Sequence, residues 1–274
     1  QILPIERPSF NFQQLLGRFQ KSAWLAQRHF ENRGTMRPPL AATKDRTLGS
    51  LLEILHIADP TLPIGGFSHS NGLETYVQQN LVHDAVSAQE FVESMLKNNY
   101  KYNDALALKL AYEHTSQGDL EGILSLDNEC HALKAPREVR EGSQKLGVRL
   151  IKIYGKRLDD PFLNAVLAHV LDKTTHGHYP VIYGVVAAAL KIEIDKAVGS
   201  FLFNAAVSMI TNAVKLVPLG QMDGQEILFS VQQLIDHLTA ETLELDREMH
   251  GVCNAALDIK CMQHEQLYSR LYMS

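Results

Sequence analysis

Histidine pairs are the first residues of this chain whose spacing could bind a metal ion. His176 and His178 flank a single glycine, and imidazole nitrogens are ligands for borderline transition metals such as nickel. Two histidines leave a tetrahedral site half empty. A flexible loop before a helix is therefore the favoured interpretation of this pair, and metal contact is the alternative.

A second set of thiols and imidazoles lies near the C-terminus. His250 and Cys253 form an H-x2-C pair, and Cys261 and His264 form a C-x2-H pair. On one continuous helix the outer two residues are about 21 Å apart at 1.5 Å per residue, so the four side chains cannot surround one ion. We expect a partner-facing helix here and no metal site. Together with Cys130, the cysteines are odd in number and lack framework spacing, which favours reduced thiols.

Residues 59–74, DPTLPIGGFSHSNGLE, are rich in glycine, proline and serine. A phosphate-binding loop requires a lysine after its glycines, and this stretch contains none. A nucleophile elbow requires G-x-S-x-G, whereas the chain has Gly66-Phe67-Ser68-His69-Ser70. The sequence therefore predicts a bend between helices, made by Pro60, Pro63, Gly65 and Gly66.

Acidic side chains are plentiful, but none is placed by spacing beside a nucleophile. Glu74, Asp223, Asp246 and Glu265 are the candidates, and solvated helix faces account for most of them. Read by its chemistry alone, the sequence favours a binding protein over an enzyme.

The segment VPLGQMDGQEIL, residues 217–228, has the form of a turn between two helices. Pro218 and Gly220 suit the end of one helix, and Asp223 can cap the next. A turn does not account for Gln221 and Gln225, which we take as candidate binding residues.

Composition limits the classes of partner. The chain has 274 residues, 45% hydrophobic content and a formal net charge of −5, so it can bury a core but lacks the basic clusters that bind nucleic acid. No continuous apolar run reaches the roughly 18 residues of a membrane span, and no signal peptide is evident. We expect a cytoplasmic protein without nucleic-acid or membrane partners.

The elements that carry these residues are predicted to be helices. Ala88, Phe91, Val92 and Met95 follow helical spacing, and Ser87 with Glu90 has the form of a capping box. We find no period-2 run typical of strands. The fold class is therefore all-α, a single-domain bundle of about ten helices, with further helices predicted at 47–58, 69–82, 102–115, 119–131, 137–157, 160–172, 180–191, 194–215, 227–238 and 252–268.

Residues 1–46 differ from the remainder of the chain. The stretch is basic, contains a Pro-Pro pair and shows little sustained periodicity beyond a possible short helix at 12–30. Met36 is a plausible start codon, so we expect a loosely ordered extension of unknown role. The all-α domain is expected to span residues 47–274.

Four segments together resemble the urease accessory protein UreF family. They are DPTLPIGGFSHSNGLE, HYPVIYGVVAAAL at 178–190, VPLGQMDGQEIL, and MQHEQLYSRLYMS at 262–274. Their order and spacing match the family, and the resemblance covers roughly residues 47–274. Each segment alone is weak, but the set is specific.

The resemblance implies an all-α homodimer without catalytic activity or a cofactor of its own. It implies that the chain binds UreD, also called UreH, and recruits and regulates the GTPase UreG in a complex that inserts nickel into apo-urease. The chain agrees in lacking a P-loop. Whether nickel touches the chain, through His176, His178, His250, Cys253, Cys261 or His264, is left open.

The resemblance also implies where partners bind. Phe67, His69, Ser70, Gly72 and Glu74 are expected to line a partner-facing surface beside the bend. In the last segment, Tyr268, Arg270 and Leu271 are expected to form a docking tail. We expect this tail to have too few buried neighbours on its own chain to stay ordered, and the alternative is a terminal helix that docks on the core and completes the bundle.

An enzyme is the alternative from another class. In that interpretation His69, Glu74 or His178 would act as acid–base groups on a small molecule. An enzyme would act alone, whereas an adaptor would be inert until its partners bind.

Overall fold

The computed structural model describes residues 47–252 and 254–273, without the side chains of Thr47 and Phe67. Over these residues the chain is helical and contains no β-strand, which confirms the all-α class. The α-helices are α1 (Thr47–Ile57), α2 (Leu73–Gln78), α3 (Ala85–Met95), α4 (Leu106–Gln117), α5 (Leu120–Leu133), α6 (Arg137–Gly155), α7 (Pro161–Leu171), α8 (Tyr179–Ala189), α9 (Ile194–Leu216), α10 (Gln221–Glu244) and α11 (Ala255–His264).

The bend at residues 59–74 shortens the helix that follows it. Instead of a helix over 69–82, a 3-10 turn at Gly66–Ser68 is followed by the two-turn helix α2. Gly65 and Gly72, the residues before the 3-10 turn and before α2, adopt positive φ values of 88° and 85°, a left-handed conformation that favours glycine. Helix α2 therefore starts four residues after the predicted boundary at 69 and ends four residues before the one at 82.

A π-helical segment, Leu96–Ala105, continues from α3 into α4. The predicted helix at 102–115 therefore has no free N-terminus. Such segments commonly mark functional positions because they displace side chains from the α-helical register. Here the segment brings Asn99, Tyr100 and Asn103 to the wall of a partly open cavity.

Helix α8 forms the centre of the core. Its residues Pro180 to Ala187 are all buried, and a Cβ at Gly184 would collide with the carbonyl of Leu108 in α4. The small residues of this segment therefore permit a close contact between α8 and α4.

Helix α9 is the one described helix that could cross a membrane by length and mean hydropathy. Half of its most apolar 18-residue window is already buried within the protein. Its Asn212 is also buried and donates a hydrogen bond of 2.8 Å to the carbonyl of His69. These features are those of a core helix.

The N-terminus of α3 lies three residues before the predicted position. Asp84 is the N-cap, and its carboxylate accepts a hydrogen bond of 2.8 Å from the backbone of Ser87. Ser87 is the third helical residue and completes the capping box from the other side. Residues 1–46, including the possible helix at 12–30, lie outside the described residues.

Candidate partner-binding site

The buried carboxylate of Glu74 connects the glycine-rich bend to the end of the chain. Glu74 is 3% exposed and lies in the first turn of α2. Its Oε1 accepts a hydrogen bond of 2.7 Å from the backbone N–H of Leu271, and its Oε2 accepts one of 3.1 Å from Tyr272. One side chain therefore binds two consecutive backbone amides of the C-terminal segment.

His264, the last residue of α11, lies between two carboxylates. Its Nε2 is 3.1 Å from Oε2 of Glu74, and its Nδ1 is 2.6 Å from Oε2 of Glu138 on α6. The ring is fully buried. When both carboxylates are ionised, only the doubly protonated imidazolium can donate to each of them. The remaining oxygen of Glu138 accepts a hydrogen bond of 2.7 Å from Arg270.

Two further hydrogen bonds hold the C-terminal tail, residues 265–273. The backbone N–H of Met273 donates to the carbonyl of Ser68 at 2.9 Å, and the side-chain amide of Gln78 donates to the carbonyl of Ser269 at 3.0 Å. The ring of Tyr272 is buried. The expectation that the tail lacks buried neighbours on its own chain was therefore wrong, because Glu74, Glu138 and the bend bind its backbone and Arg270.

Binding of its backbone leaves several tail side chains exposed. Tyr268 is fully exposed, while Leu271 and Met273 are 67% and 56% exposed. The Arg270 side chain is 41% exposed despite its ion pair with Glu138. The tail thus presents an aromatic ring, a branched aliphatic side chain, a methionine and part of a guanidinium on a fixed backbone.

The other predicted residues near the bend whose side chains are described are buried against neighbouring helices. Gly72 packs against α11, where a Cβ would lie 2.9 Å from the Sγ of Cys261. His69 and Ser70 are also buried, and burial lowers the pKa of His69. With Glu74, these residues do not form an exposed surface. Their role in partner binding remains a prediction.

Three predicted residues lie apart from the tail site or lack a described side chain. The backbone of Phe67 belongs to the 3-10 turn, but its side chain is not among those described, so its role stays a prediction. Gln221 and Gln225 are exposed one turn apart at the start of α10, beside a shallow hollow against α9. The prediction that Asp223 is the N-cap was wrong, because Gly220 is the N-cap of α10 and Asp223 is its third helical residue, whose side chain accepts a hydrogen bond of 2.7 Å from the backbone N–H of Gly220.

The His176–His178 loop is held by a buried carboxylate that the sequence did not indicate. Asp127 on α5 accepts hydrogen bonds of 2.6–2.8 Å from the hydroxyl of Thr175 and the backbone N–H groups of residues 176, 177 and 178. His176 stacks on His131 at 3.6 Å between ring centroids. Burial lowers the pKa of His178 to about 3. No sequence pattern indicated this role of Asp127, because it lies at least 48 residues from the loop along the chain.

The histidine and cysteine pairs near the C-terminus are separated by the fold. Helix α11 includes Cys261 and His264 but begins after His250, and Cys253 lies outside the described residues. Among the residues that the structure describes, no group of three or more His, Cys, Asp or Glu could hold a metal ion. His264 instead binds Glu74 and Glu138 beneath the tail.

The same contacts bear on the enzyme alternative. Both oxygens of Glu74 are engaged by the tail and by His264. His178 is fully buried, and His69 is 6% exposed. None of the three has a free, accessible acid–base group facing solvent in this arrangement.

An exposed apolar stripe on α1 was not identified as a binding feature from the sequence. Leu48, Leu51, Leu52 and Leu55 are 50–65% exposed and follow helical i, i+3, i+4, i+7 spacing. That spacing also describes a core-facing stripe, so the sequence alone could not distinguish the two.

Comparison with known proteins finds relatives that match most of the chain. The UreF family model matches residues 82–232. The chain is 46% identical over 227 residues to "Urease accessory protein UreF" of Actinobacillus pleuropneumoniae, covering 83% of this chain and 100% of the relative. It is 44% identical over 235 residues to the protein of the same name from Haemophilus influenzae, covering 86% and 100%. A more distant relative of that name, from Bacillus sp. strain TB-90, is 32% identical over 227 residues, covering 83% and 100%.

Proposed function

The chain belongs to the urease accessory protein UreF family, and we propose that it is a non-catalytic adaptor whose C-terminal tail binds UreD/UreH. In this function it also recruits and regulates the GTPase UreG, so that nickel is inserted into apo-urease. Nickel is the cargo of the complex rather than a cofactor of this chain. The choice of partners follows the family resemblance.

One observation carries this proposal. The tail backbone is bound by Glu74, while the side chains of Tyr268 and Leu271 project from it exposed. Aromatic and aliphatic anchors on a preorganised backbone lose little conformational entropy on binding, and such anchors dominate protein interfaces. The buried bend thus contributes to binding by holding the tail.

The experiment compares the affinity of the full chain and of a Tyr268→Ala/Leu271→Ala variant for purified UreD/UreH. Both side chains are exposed, so the helical fold should be unchanged by circular dichroism. Loss of a hot-spot pair costs at least about 2 kcal/mol, so we expect at least about 30-fold weaker binding. Phe229→Ala is the matched control, because Phe229 is 66% exposed on α10.

Equal affinity of the Tyr268→Ala/Leu271→Ala variant and the parent would contradict the tail as the binding element. Equal weakening by Phe229→Ala would mean that exposed apolar surface in general, rather than the tail, binds the partner. Turnover of a small molecule or of GTP by the chain alone would contradict the adaptor function itself.

We further propose that Gln221 and Gln225 form a second contact within the complex. Both are exposed on consecutive turns of α10 and take no part in its cap. A Gln221→Ala/Gln225→Ala variant should reduce recruitment of UreG or UreD/UreH. Gln232→Ala/Gln233→Ala, exposed farther along the same helix, is the control. Equal recruitment by both variants would contradict this second contact.

The homodimer and the cytoplasmic location are proposed on the same family resemblance. Sedimentation of the purified chain tests the first, and fractionation of cells producing the full chain tests the second. A monomer at all accessible concentrations, or recovery of the chain in the membrane fraction, would contradict them.

A further inference from the structure

A row of basic side chains runs along α6 and just past its C-terminus. Between residues 142 and 158 the sequence contains no Asp or Glu. The charged residues of this stretch are all basic and all exposed, namely Lys145, Arg149, Lys152, Lys156 and Arg157. Residues 47–274 as a whole contain 18 Lys and Arg against 28 Asp and Glu, so positive charge is concentrated on this helix of an acidic domain.

Four of these side chains form one line, which we call the α6 basic stripe: Lys145, Arg149, Lys152 and Lys156. Their i, i+4, i+7, i+11 spacing places them on one face of the helix. At 1.5 Å per residue the stripe is about 17 Å long. The sequence shows no long basic run here, because helical spacing separates consecutive members by two or three other residues.

The stripe is largely unpaired. Its Lys145 lies 3.8 Å from Glu141, one turn earlier on the same helix, and the lysine side chain is 48% exposed. Arg149, Lys152 and Lys156 form no ion pair with the residues that the structure describes. By contrast, ion pairs of 2.6–3.0 Å neutralise lysines on the π-helical segment and on α9.

The bend at residues 59–74 holds the arginine of the stripe in place. Nη1 of Arg149 donates a hydrogen bond of 2.7 Å to the carbonyl of Ile64. The other N–H groups of the guanidinium can therefore bind a carboxylate of a partner, for which their planar geometry is suited. Burial, and then the positive charges of Lys145 and Arg149, lower the pKa of His69, so the field of the stripe reaches the bend.

The helix dipole explains only part of the stripe. Lys152 lies in the last turn of α6 and Lys156 is its C-cap, where positive charge is favourable. Lys145 and Arg149 lie in the middle of the helix, and like charges four residues apart destabilise a helix. An acidic partner would relieve this repulsion.

The stripe continues from the tail site. Glu138, which binds Arg270 of the tail, precedes Lys145 by seven residues and therefore lies on the same face of α6. At 1.5 Å per residue, Lys145 is about 11 Å along the helix from Glu138. A protein that covers Arg270 and the exposed ring of Tyr268 thus reaches the start of the stripe.

We propose that the α6 basic stripe binds an acidic segment of the same protein that binds the tail. The inference rests on the proposed function, in which that protein is UreD/UreH. Charge complementarity identifies the occupant, since a line of unpaired positive groups matches a line of carboxylates. Tyr154 is the one aromatic residue between 142 and 158, and it is buried, so the stripe lacks the stacking surface that single-stranded nucleic acid uses.

The stripe and the tail have different roles in this interface. Exposed ion pairs add little to affinity, but a charged surface accelerates association and orients the partner. Buried apolar anchors such as Tyr268 and Leu271 act mainly on the dissociation rate. We therefore expect the stripe to set the association rate and its dependence on salt.

Stopped-flow association of the full chain with purified UreD/UreH tests this role. Lys145→Gln/Lys152→Gln/Lys156→Gln, the stripe variant, retains Arg149 and introduces a residue of similar helix propensity, so circular dichroism should be unchanged. At about 20 mM salt, where screening is weak, its association rate constant should be at least about 10-fold below that of the parent. At about 0.5 M salt the difference should disappear.

Lys173→Gln/Lys191→Gln/Lys196→Gln is the matched control, because it removes three exposed lysines away from α6 and changes the net charge equally. Its association rate constant should stay within about 3-fold of the parent value. Equal slowing by both variants would overturn the proposal in favour of overall charge. An unchanged rate in the stripe variant would also overturn it. Tyr268→Ala/Leu271→Ala should instead accelerate dissociation and leave the salt dependence of association unchanged.

A fluorescein-labelled poly-glutamate peptide separates this inference from the proposed function. By fluorescence anisotropy at low salt, the stripe variant should bind the peptide at least about 10-fold more weakly than the parent. If UreD/UreH does not bind the parent but poly-glutamate binds through the stripe, the proposed function fails while the acidic-segment site stands. Absence of both the peptide effect and the rate effect would overturn the site. Tighter, stripe-dependent binding of duplex DNA would overturn it in favour of nucleic acid.

Discussion

Replacement of Glu74 by Gln should release the C-terminal tail while preserving the size of the side chain. The carboxylate makes hydrogen bonds to two backbone N–H groups and to His264. The amide retains one oxygen acceptor, but its NH₂ group must then face either the N–H of Tyr272 or that of Leu271. At least one bond to a charged acceptor is lost and replaced by a contact between two donors.

The magnitude follows from the number of bonds. A hydrogen bond to a charged group contributes about 1.5–3 kcal/mol, and a buried donor left unpaired costs a similar amount. We therefore expect the free energy of tail opening to fall by at least about 2 kcal/mol. At 1.4 kcal/mol for each factor of ten, the open population rises about 30-fold.

Trypsin provides the assay, because cleavage after Arg270 requires the tail to leave Glu74 and Glu138. When opening and closing are faster than cleavage, the cleavage rate follows the open population. Release of the peptide 271–274, measured by mass spectrometry, should accelerate about 30-fold in Glu74→Gln, with far-ultraviolet circular dichroism confirming that the helices persist.

Glu265→Gln is the matched control for this assay. Glu265 pairs with Arg137, whose side chain is 62% exposed, and such surface pairs contribute no more than about 1 kcal/mol. Its effect on cleavage should stay below about 5-fold. If Glu74→Gln and the parent release the peptide at the same rate, Glu74 does not hold the tail and the reasoning is refuted.

Three further predictions concern stability. Gly72→Ala should lower the free energy of unfolding by about 1–3 kcal/mol in urea titrations, because the φ of Gly72 is positive and the new Cβ would meet Cys261. Gly49→Ala in α1 is the control, because its Cβ would have open space and the change should be neutral or stabilising. Equal effects of the two substitutions would contradict this packing. The pKa of His178 is about 3 in the folded chain, against an ordinary histidine pKa of 6.5, so the unfolded chain binds an extra proton as the pH falls from about 6.5 to 3. The free energy of unfolding should therefore decrease over that window, by at most about 5 kcal/mol. His178→Gln should flatten this pH dependence, whereas His237→Gln should not. Asp127→Asn should lower the free energy of unfolding, measured by thermal denaturation, by about 3 kcal/mol or more, because the amide cannot accept all four of the hydrogen bonds that the carboxylate accepts. A loss below about 1 kcal/mol would refute that account.

The sequence by itself determined the class of the fold and most of its helices. Helical spacing of apolar residues and the absence of alternating runs are local properties, readable within a window of a few turns. Boundaries next to the bend were less predictable, because Gly72 has a positive φ and α2 starts only after it, at Leu73, whereas the sequence predicted a helix from residue 69.

Only the tertiary structure decided what the chemically active side chains do. Glu74 and His264 are 190 residues apart in sequence, and no local pattern indicates that one carboxylate binds both the imidazole and the tail. Cys130 and His250 meet in the same way, whereas the nearby Cys253 suggested a different partner for that histidine. Periodicity is set by the neighbours of a residue along the helix, but hydrogen-bond partners are set by how helices pack, and that arrangement depends on the whole core at once.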